Sequence, residues 1–117
     1  MASERIVEQK SMAFAIRVVR LYQYLTEEKR EYVMAKQILK SGTSIGANLA
    51  EAGCAISRKD FLAKNYIAFK ECAETIYWLK LLRATEYISN EQFCSLRDDC
   101  NELRKMLSAI TKTLREQ

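Results

Sequence analysis

Hydrophobic side chains recur at spacings of three and four residues along most of the chain. The clearest run lies in the last quarter, where the spacings are 3, 4, 3, 4, 3 and 4: Phe93, Leu96, Cys100, Leu103, Leu107, Ile110 and Leu114. This spacing places all seven side chains on one face of a helix, as in a heptad stripe. It predicts a helix over about residues 90–115, and related stripes predict helices over about 4–26, 32–56 and 58–85.

Short polar segments separate the four stretches. Ser57 and Ser89 each stand before a predicted helix with Asp60 or Gln92 three residues later, a capping-box pattern. The chain of 117 residues contains no proline and three glycines, which leaves little sequence for strands or long loops. Because short connections make successive helices antiparallel neighbours, we predict an all-α, up-down-up-down four-helix bundle, a single domain over residues 1–117.

The third predicted helix is apolar on almost every side. One face carries Phe61, Ala68, Cys72, Ile76 and Leu79. Other faces carry Tyr66, Ala73, Tyr77, Ile67, Trp78, Leu81 and Leu82. A helix in a monomeric four-helix bundle normally keeps one polar, solvated side. We therefore expect this helix to contact a second copy of the chain as well as its own bundle.

The second predicted helix combines three kinds of surface. Its apolar face is Ile38, Ile45, Leu49, Ala52 and Ile56. Beside this face, small residues form a ridge at four-residue spacing: Gly42, Gly46 and Ala50. A glycine inside a helix costs about 1 kcal/mol relative to alanine, so close approach of a neighbouring backbone is the expected compensation.

A polar stripe lies on the same helix at spacings of three and four: Ser41, Ser44, Asn48 and Glu51. Two interpretations remain open for it. It is either a hydrogen-bonded seam or oligomer interface, or an ordinary solvated helix face.

The absence of histidine removes the Ser-His-Asp, Cys-His and His-based metal constellations. We therefore expect no catalytic residues, no cofactor and no small-molecule substrate. Glu51, Glu71 and Glu74 are the remaining candidate cluster for a divalent metal. Pairing of the last two with nearby lysines or with Arg83 is the favoured alternative, so no metal site is predicted.

Aromatic and basic residues on the third helix are candidates for an interface or for nucleic-acid contact, with bases stacked beside phosphates. They are Lys70, Tyr77, Trp78, Lys80 and Arg83. Burial of the aromatic rings in the core is the more usual outcome. On the fourth helix, Arg97 and Arg104 lie seven residues apart, but Asp98, Asp99 and Glu102 dilute their charge, which favours a salt-bridged solvated face.

The net charge of +4 is spread thinly and permits nucleic-acid contact without arguing strongly for it. No apolar run approaches the roughly 20 residues of a membrane span, and no signal core is visible at the N-terminus. The four cysteines show no metal-binding spacing. We expect a cytoplasmic protein with reduced cysteines.

Residues 37–52, which include the motif Ser-x-x-Ser-Ile-Gly-x-Asn-x-x-Glu from Ser41 to Glu51, together with residues 57–61 and 67–79, resemble the signature of a bacterial four-helix-bundle family. That family is named for a protein encoded in intervening sequences of large-subunit ribosomal RNA genes. The resemblance covers essentially the whole chain.

The resemblance implies a closed homo-oligomeric ring, typically a pentamer. A relative of the family, the accessory variability determinant of diversity-generating retroelements, binds a reverse transcriptase and nucleic acid. The function expected from the sequence is thus a non-enzymatic homo-oligomeric scaffold that contacts RNA or a nucleic-acid enzyme. The alternative is a protein–protein adaptor without nucleic-acid binding.

Overall fold

The computed structural model describes residues 2–117, with side chains described from Arg5 onward. It contains four helices: α1 (Ala2–Glu27), α2 (Val33–Ala52), α3 (Arg58–Ala84) and α4 (Asn90–Glu116). The molecule measures 46 × 22 × 19 Å. The longest helices, α3 and α4, have 27 residues each. A helix of that length spans about 40 Å, so the long axis of the molecule accommodates one helix and successive helices must fold back on each other.

Each helix packs against the next in sequence, and α4 packs against α1. Within the described residues α1 and α3 make no such packing contact, nor do α2 and α4, so these are the diagonal pairs. The predicted all-α four-helix bundle is confirmed.

The end of α2 differs from the prediction. The helix ends at Ala52, four residues before the expected end at Ile56. The segment after Ala52 must reverse direction before Ser57, whose side chain accepts from the backbone N–H of Asp60 and so fixes the start of α3. Ile56 therefore lies in the turn, where it is 95% exposed, and its assignment to the apolar face of α2 was wrong.

The cap of α4 is the complete reciprocal motif. The Ser89 side chain accepts from the backbone N–H of Gln92 at 3.1 Å, and the Gln92 side chain accepts from the backbone N–H of Ser89 at 2.8 Å. These two bonds satisfy donors that a helix start otherwise leaves unpaired, which is why the boundary lies close to the predicted position.

The core is a single cluster of apolar side chains, and most of them belong to the predicted stripes. Along α4, every member of the heptad stripe from Phe93 to Ile110 is buried, and Leu114 is half-buried. The α1 side chains that fill the centre share a spacing of three, four or seven residues: Val7, Phe14, Val18, Leu21 and Leu25. Sequence periodicity was sufficient to identify these residues because a buried helix face repeats every 3.6 residues.

Only one side of α3 faces this core. Ala68, Cys72, Leu79 and Leu82 are buried there, whereas Tyr66, Ile67 and Tyr77 lie on the opposite side and remain exposed. The expected burial of α3 on all sides is thus not met within one copy of the chain.

None of the described helices is long and apolar enough to cross a membrane.

Candidate functional site

The predicted polar stripe of α2 divides into two parts in the structure. Ser41 is fully buried, and its hydroxyl accepts a 2.9 Å hydrogen bond from the Thr75 hydroxyl on α3. At the exposed end of the stripe, the Lys64 ammonium donates to the Glu51 carboxylate at 2.8 Å. That hydrogen bond and the charge of Glu51 raise the pKa of Lys64. These contacts join α2 to α3 within one bundle.

The two central residues of the stripe do not reach α3. The Ser44 hydroxyl donates to the backbone carbonyl of Lys40 at 2.6 Å, and the Asn48 amide donates to the carbonyl of Ser44 at 2.8 Å. Both are bonds within α2 itself. The stripe is therefore a seam between α2 and α3 only at Ser41 and Glu51.

The small-residue ridge of α2 lies against α1 at its two glycines. A Cβ atom added at Gly42 would lie 2.7 Å from a Val18 methyl carbon, too close for any real contact, and one added at Gly46 would lie 3.3 Å from the Ser11 hydroxyl oxygen. Glycine thus lets α1 approach α2 closely. Ala50, the third member, is exposed.

Ala50 lies in a shallow groove between α1 and α2, of about 330 Å³. Small side chains make up much of its wall, including Ala15 and Ala47, and Met12 lies at its edge. Met12 is 64% exposed, and Ile16 and Val19 continue the exposed apolar surface along α1. We call these three residues the α1 outer patch.

The α1 outer patch was missed as a functional surface in the sequence, although its signal was present. Met12, Ile16 and Val19 follow spacings of four and three, as the core stripe does. Two apolar stripes on one helix indicate two buried faces. The second stripe has no partner within the described part of the bundle.

The outer side of α3 holds a second group of exposed apolar side chains. Tyr66, Ile67 and Tyr77 form what we call the α3 outer patch, and Tyr77 is 56% exposed. The Lys70 ammonium lies 5.8 Å from the Tyr66 ring centroid, within cation–π range. Because α1 and α3 are diagonal in the bundle, the two outer patches lie on opposite sides of the molecule.

The remaining α3 candidates for interface or nucleic-acid contact are dispersed around the helix. Trp78 is half-buried beside Tyr77, and its ring N–H donates to the Glu74 carboxylate at 3.1 Å. The Arg83 guanidinium lies 3.8 Å from the Phe93 ring centroid, on the side of α3 that faces α4. Lys80 is exposed and lines a groove between α3 and α4.

The three candidate metal-binding carboxylates do not form a cluster. Glu51 pairs with Lys64, and Glu74 accepts from Trp78. Burial, and then the neighbouring Glu74 carboxylate, raise the pKa of Glu71. No group of three or more potential metal ligands occurs among the described residues.

Two of the four cysteines lie in the core. The Cys100 thiol donates to the backbone carbonyl of Cys72 at 3.5 Å and thereby links α4 to α3. The neighbouring Cys72 thiol, through a side-chain hydrogen bond, and then burial raise the pKa of the Cys100 thiol. Cys54 and Cys94 are exposed, and all four cysteines are free thiols.

Residues 3–109 match the model of the 23S rRNA-intervening sequence protein family. The chain belongs to this family. Among solved structures it is similar to the crystal structure of a protein of unknown function from the S23 ribosomal protein family of Bacteroides thetaiotaomicron VPI-5482. The two are 53% identical, the match covers 94% of this chain and 98% of the other, and the TM-score is 0.93. No curated protein matches the chain. The predicted family is confirmed, and the matched structure's description names no enzymatic activity.

Proposed function

We propose that this member of the 23S rRNA-intervening sequence protein family is a non-enzymatic scaffold that assembles into a closed homo-oligomeric ring, a pentamer as the family resemblance implies. The observation that supports it is the pair of exposed apolar patches on opposite sides of the bundle. Clustered exposed apolar surface on a small domain usually marks an interaction site.

The two patches differ in shape in a way that suits contact between copies. The α3 outer patch presents large side chains, Tyr66, Ile67 and Tyr77. The groove beside the α1 outer patch is lined by the small side chains Ala15, Ala47 and Ala50. Large side chains of one helix pack well into depressions formed by small residues of another.

A contact between two different patches is heterologous. Each copy then uses its α3 outer patch on one neighbour and its α1 outer patch on the other. The assembly closes into a ring if the rotation between neighbours closes, and it continues as an open filament if it does not. A symmetric dimer would instead bury the same patch on both copies and leave the second patch exposed on each. Two unlike patches on opposite sides therefore favour head-to-tail assembly over a dimer, and the family resemblance favours its closed form, a ring.

The absence of histidine and the lack of a carboxylate cluster within the described residues favour a binding role over an enzymatic one. A protein–protein adaptor is the alternative function. It would use the same apolar patches, but a different protein would cover them.

Light scattering coupled to size-exclusion chromatography tests the ring. We expect an oligomer at micromolar concentration for the wild type, and a folded monomer for Tyr77→Glu and for Met12→Glu, because a buried unpaired carboxylate opposes association. Val33→Glu is the matched control. Val33 is 74% exposed and lies outside both patches, so its variant should assemble normally.

Mixing the two disrupted variants tests whether the contact is heterologous. Tyr77→Glu keeps the α1 outer patch, and Met12→Glu keeps the α3 outer patch. One intact contact can then form between them, so the mixture should contain a dimer that neither variant forms by itself. A monomeric wild type would refute the ring and leave the adaptor.

A further inference from the structure

The groove between α3 and α4 has an excess of positive charge. It has a volume of about 580 Å³, and the charged side chains that line it are Lys80, Arg97, Arg104 and one carboxylate, Asp98. Asp98 pairs with Arg97 at 3.1 Å. Lys80 forms no ion pair within the described part of the chain, and Arg104 donates only to the neutral Asn101 amide oxygen at 2.9 Å.

The acidic residues of α4 that would dilute this charge face a different helix. Asp99 accepts from Arg17 of α1 at 2.7 Å, and Glu102 pairs with Lys10 of α1 at 3.1 Å. In the linear sequence these carboxylates lie among the arginines and favour a salt-bridged solvated face. In the fold, Asp99 and Glu102 pair with cations of α1 instead. Of the carboxylates, Asp98 alone lines the groove, which leaves an excess of two positive charges there.

The shape and chemistry of the groove restrict the ligand. Two packed helices are in contact at an interaxial distance of about 8–10 Å, so the groove is a narrow depression along their outer surface, of a width that suits one extended chain. Cations come from both walls, and the planar guanidinium groups of Arg97 and Arg104 match the paired oxygens of a phosphate. Ala73 and Ile76 add apolar surface between the charges, against which a flat base can pack.

We propose that the α3–α4 groove binds the phosphodiester backbone of single-stranded nucleic acid through Lys80, Arg97 and Arg104. Positively charged grooves that follow a backbone are typical of single-strand binding without sequence preference. The proposal does not depend on the ring, because all the groove residues belong to one copy.

Fluorescence anisotropy of a labelled oligouridylate, measured across a salt series, tests the groove. For single strands, the logarithm of the binding constant falls with the logarithm of salt concentration with a slope of about −0.7 per phosphate contacted. Three cations predict a slope of about −2. Replacing two of them in K80Q/R104Q should reduce the slope to about −0.7 and weaken binding at low salt by about tenfold or more.

Two further variants distinguish an effect of the groove residues on binding from an effect of net charge and from an effect of misfolding. K36Q/K40Q removes the same number of charges from exposed positions on α2, which is diagonal to α4, and should bind almost as the wild type does. Asp98→Asn removes the one carboxylate in the groove and should tighten binding. A misfolded protein could not produce that gain.

Four results would overturn the proposal: no binding of the wild type at low salt, binding that salt leaves unchanged, equal weakening in the K36Q/K40Q control, or no gain in Asp98→Asn. Displacement of the oligonucleotide by polyglutamate at equal charge concentration would assign the groove to acidic polypeptides instead. Equal binding to vesicles of phosphatidylglycerol would assign it to a lipid surface. Because light scattering measures the ring separately, a failed ring and a failed groove are distinguishable.

Discussion

Gly42 offers the sharpest test of how α1 and α2 pack. Alanine at this position places a Cβ atom 2.7 and 2.8 Å from the two Val18 methyl carbons. Val18 is 1% exposed, and valine in a helix has one strongly preferred rotamer, so it cannot turn aside cheaply. The clash should therefore force a backbone shift between the two helices.

The magnitude follows from two opposing terms. Alanine favours the helix by about 1 kcal/mol relative to glycine. Overpacking a close-packed core costs about 1–3 kcal/mol. We expect Gly42→Ala to lower the free energy of unfolding by about 1 kcal/mol in spite of its better helix propensity.

The sign should reverse when the clashing methyl groups are removed. Val18→Ala by itself should lower the free energy of unfolding by roughly 2 kcal/mol through lost burial and a cavity. In that background Gly42→Ala keeps its helix-propensity gain and meets neither of the Val18 Cγ methyl carbons, only the remaining Cβ of residue 18 at 3.2 Å. It should therefore stabilise by at most about 1 kcal/mol. The coupling between the two sites is then at most about 2 kcal/mol.

Urea unfolding at one fixed protein concentration measures all four proteins of this cycle, since assembly would otherwise shift the midpoints. Gly53→Ala is the control, because an added Cβ there meets only the Ala50 carbonyl oxygen at 3.4 Å. It should be neutral or slightly stabilising. If Gly42→Ala destabilises the protein equally with and without Val18, the close-approach explanation is wrong.

Three further predictions concern a hydroxyl pair, the cysteine thiols and one carboxyl group. Thr75→Val removes the hydroxyl that donates to Ser41 and should lower the free energy of unfolding by about 1–3 kcal/mol in urea titrations. Adding Ser41→Ala should recover part of that loss, and no recovery would contradict a direct hydrogen bond between the two hydroxyls. A chromogenic disulfide reagent should react quickly with Cys54 and Cys94 in the native protein, and with the two core thiols only after unfolding, since burial suppresses the thiolate. Fast reaction of all four thiols in the native protein would be inconsistent with the described core. Because burial raises the pKa of Glu71 above its ordinary value of 4.5, the folded protein binds this proton more tightly than the unfolded chain, and stability from this group decreases as pH rises through that window. Glu71→Gln should therefore raise the melting temperature at pH 7 and lose that advantage below 4.5, and an equal gain at both pH values would exclude ionisation as the cause.

Local sequence patterns determined the helices and most of the core. The heptad stripe of α4 needed no tertiary information, because a 3.6-residue repeat states which face is buried. The boundary at Ser89 was equally local, since its cap bonds lie within four residues. The end of α2 was not local. Ile56 continued the apolar spacing of α2, but the reversal of the chain ahead of the Ser57 cap ended the helix at Ala52.

The contacts of the candidate surfaces depended on the tertiary structure more than the helices and the core did. The sequence could state that α3 has too many apolar sides and that Gly42 and Gly46 need a close neighbour. It could not state that Val18 and Ser11 are the residues against those glycines. Nor could it place Ser41 inside the seam while leaving Ser44 to bond its own helix. Sequence spacing assigns residues to a face, but only packing decides which helix that face meets.

The charges of α4 show the same division most clearly. By sequence alone, Arg97 and Arg104 share a helix with three carboxylates, and this pattern predicts a salt-bridged solvated face. The fold turns Asp99 and Glu102 toward cations of α1 and leaves the arginines beside Lys80. The sequence by itself determined the number and kind of charges. Only the tertiary structure decided their partners, because the interaction between charges depends on distance and neighbouring helices set those distances.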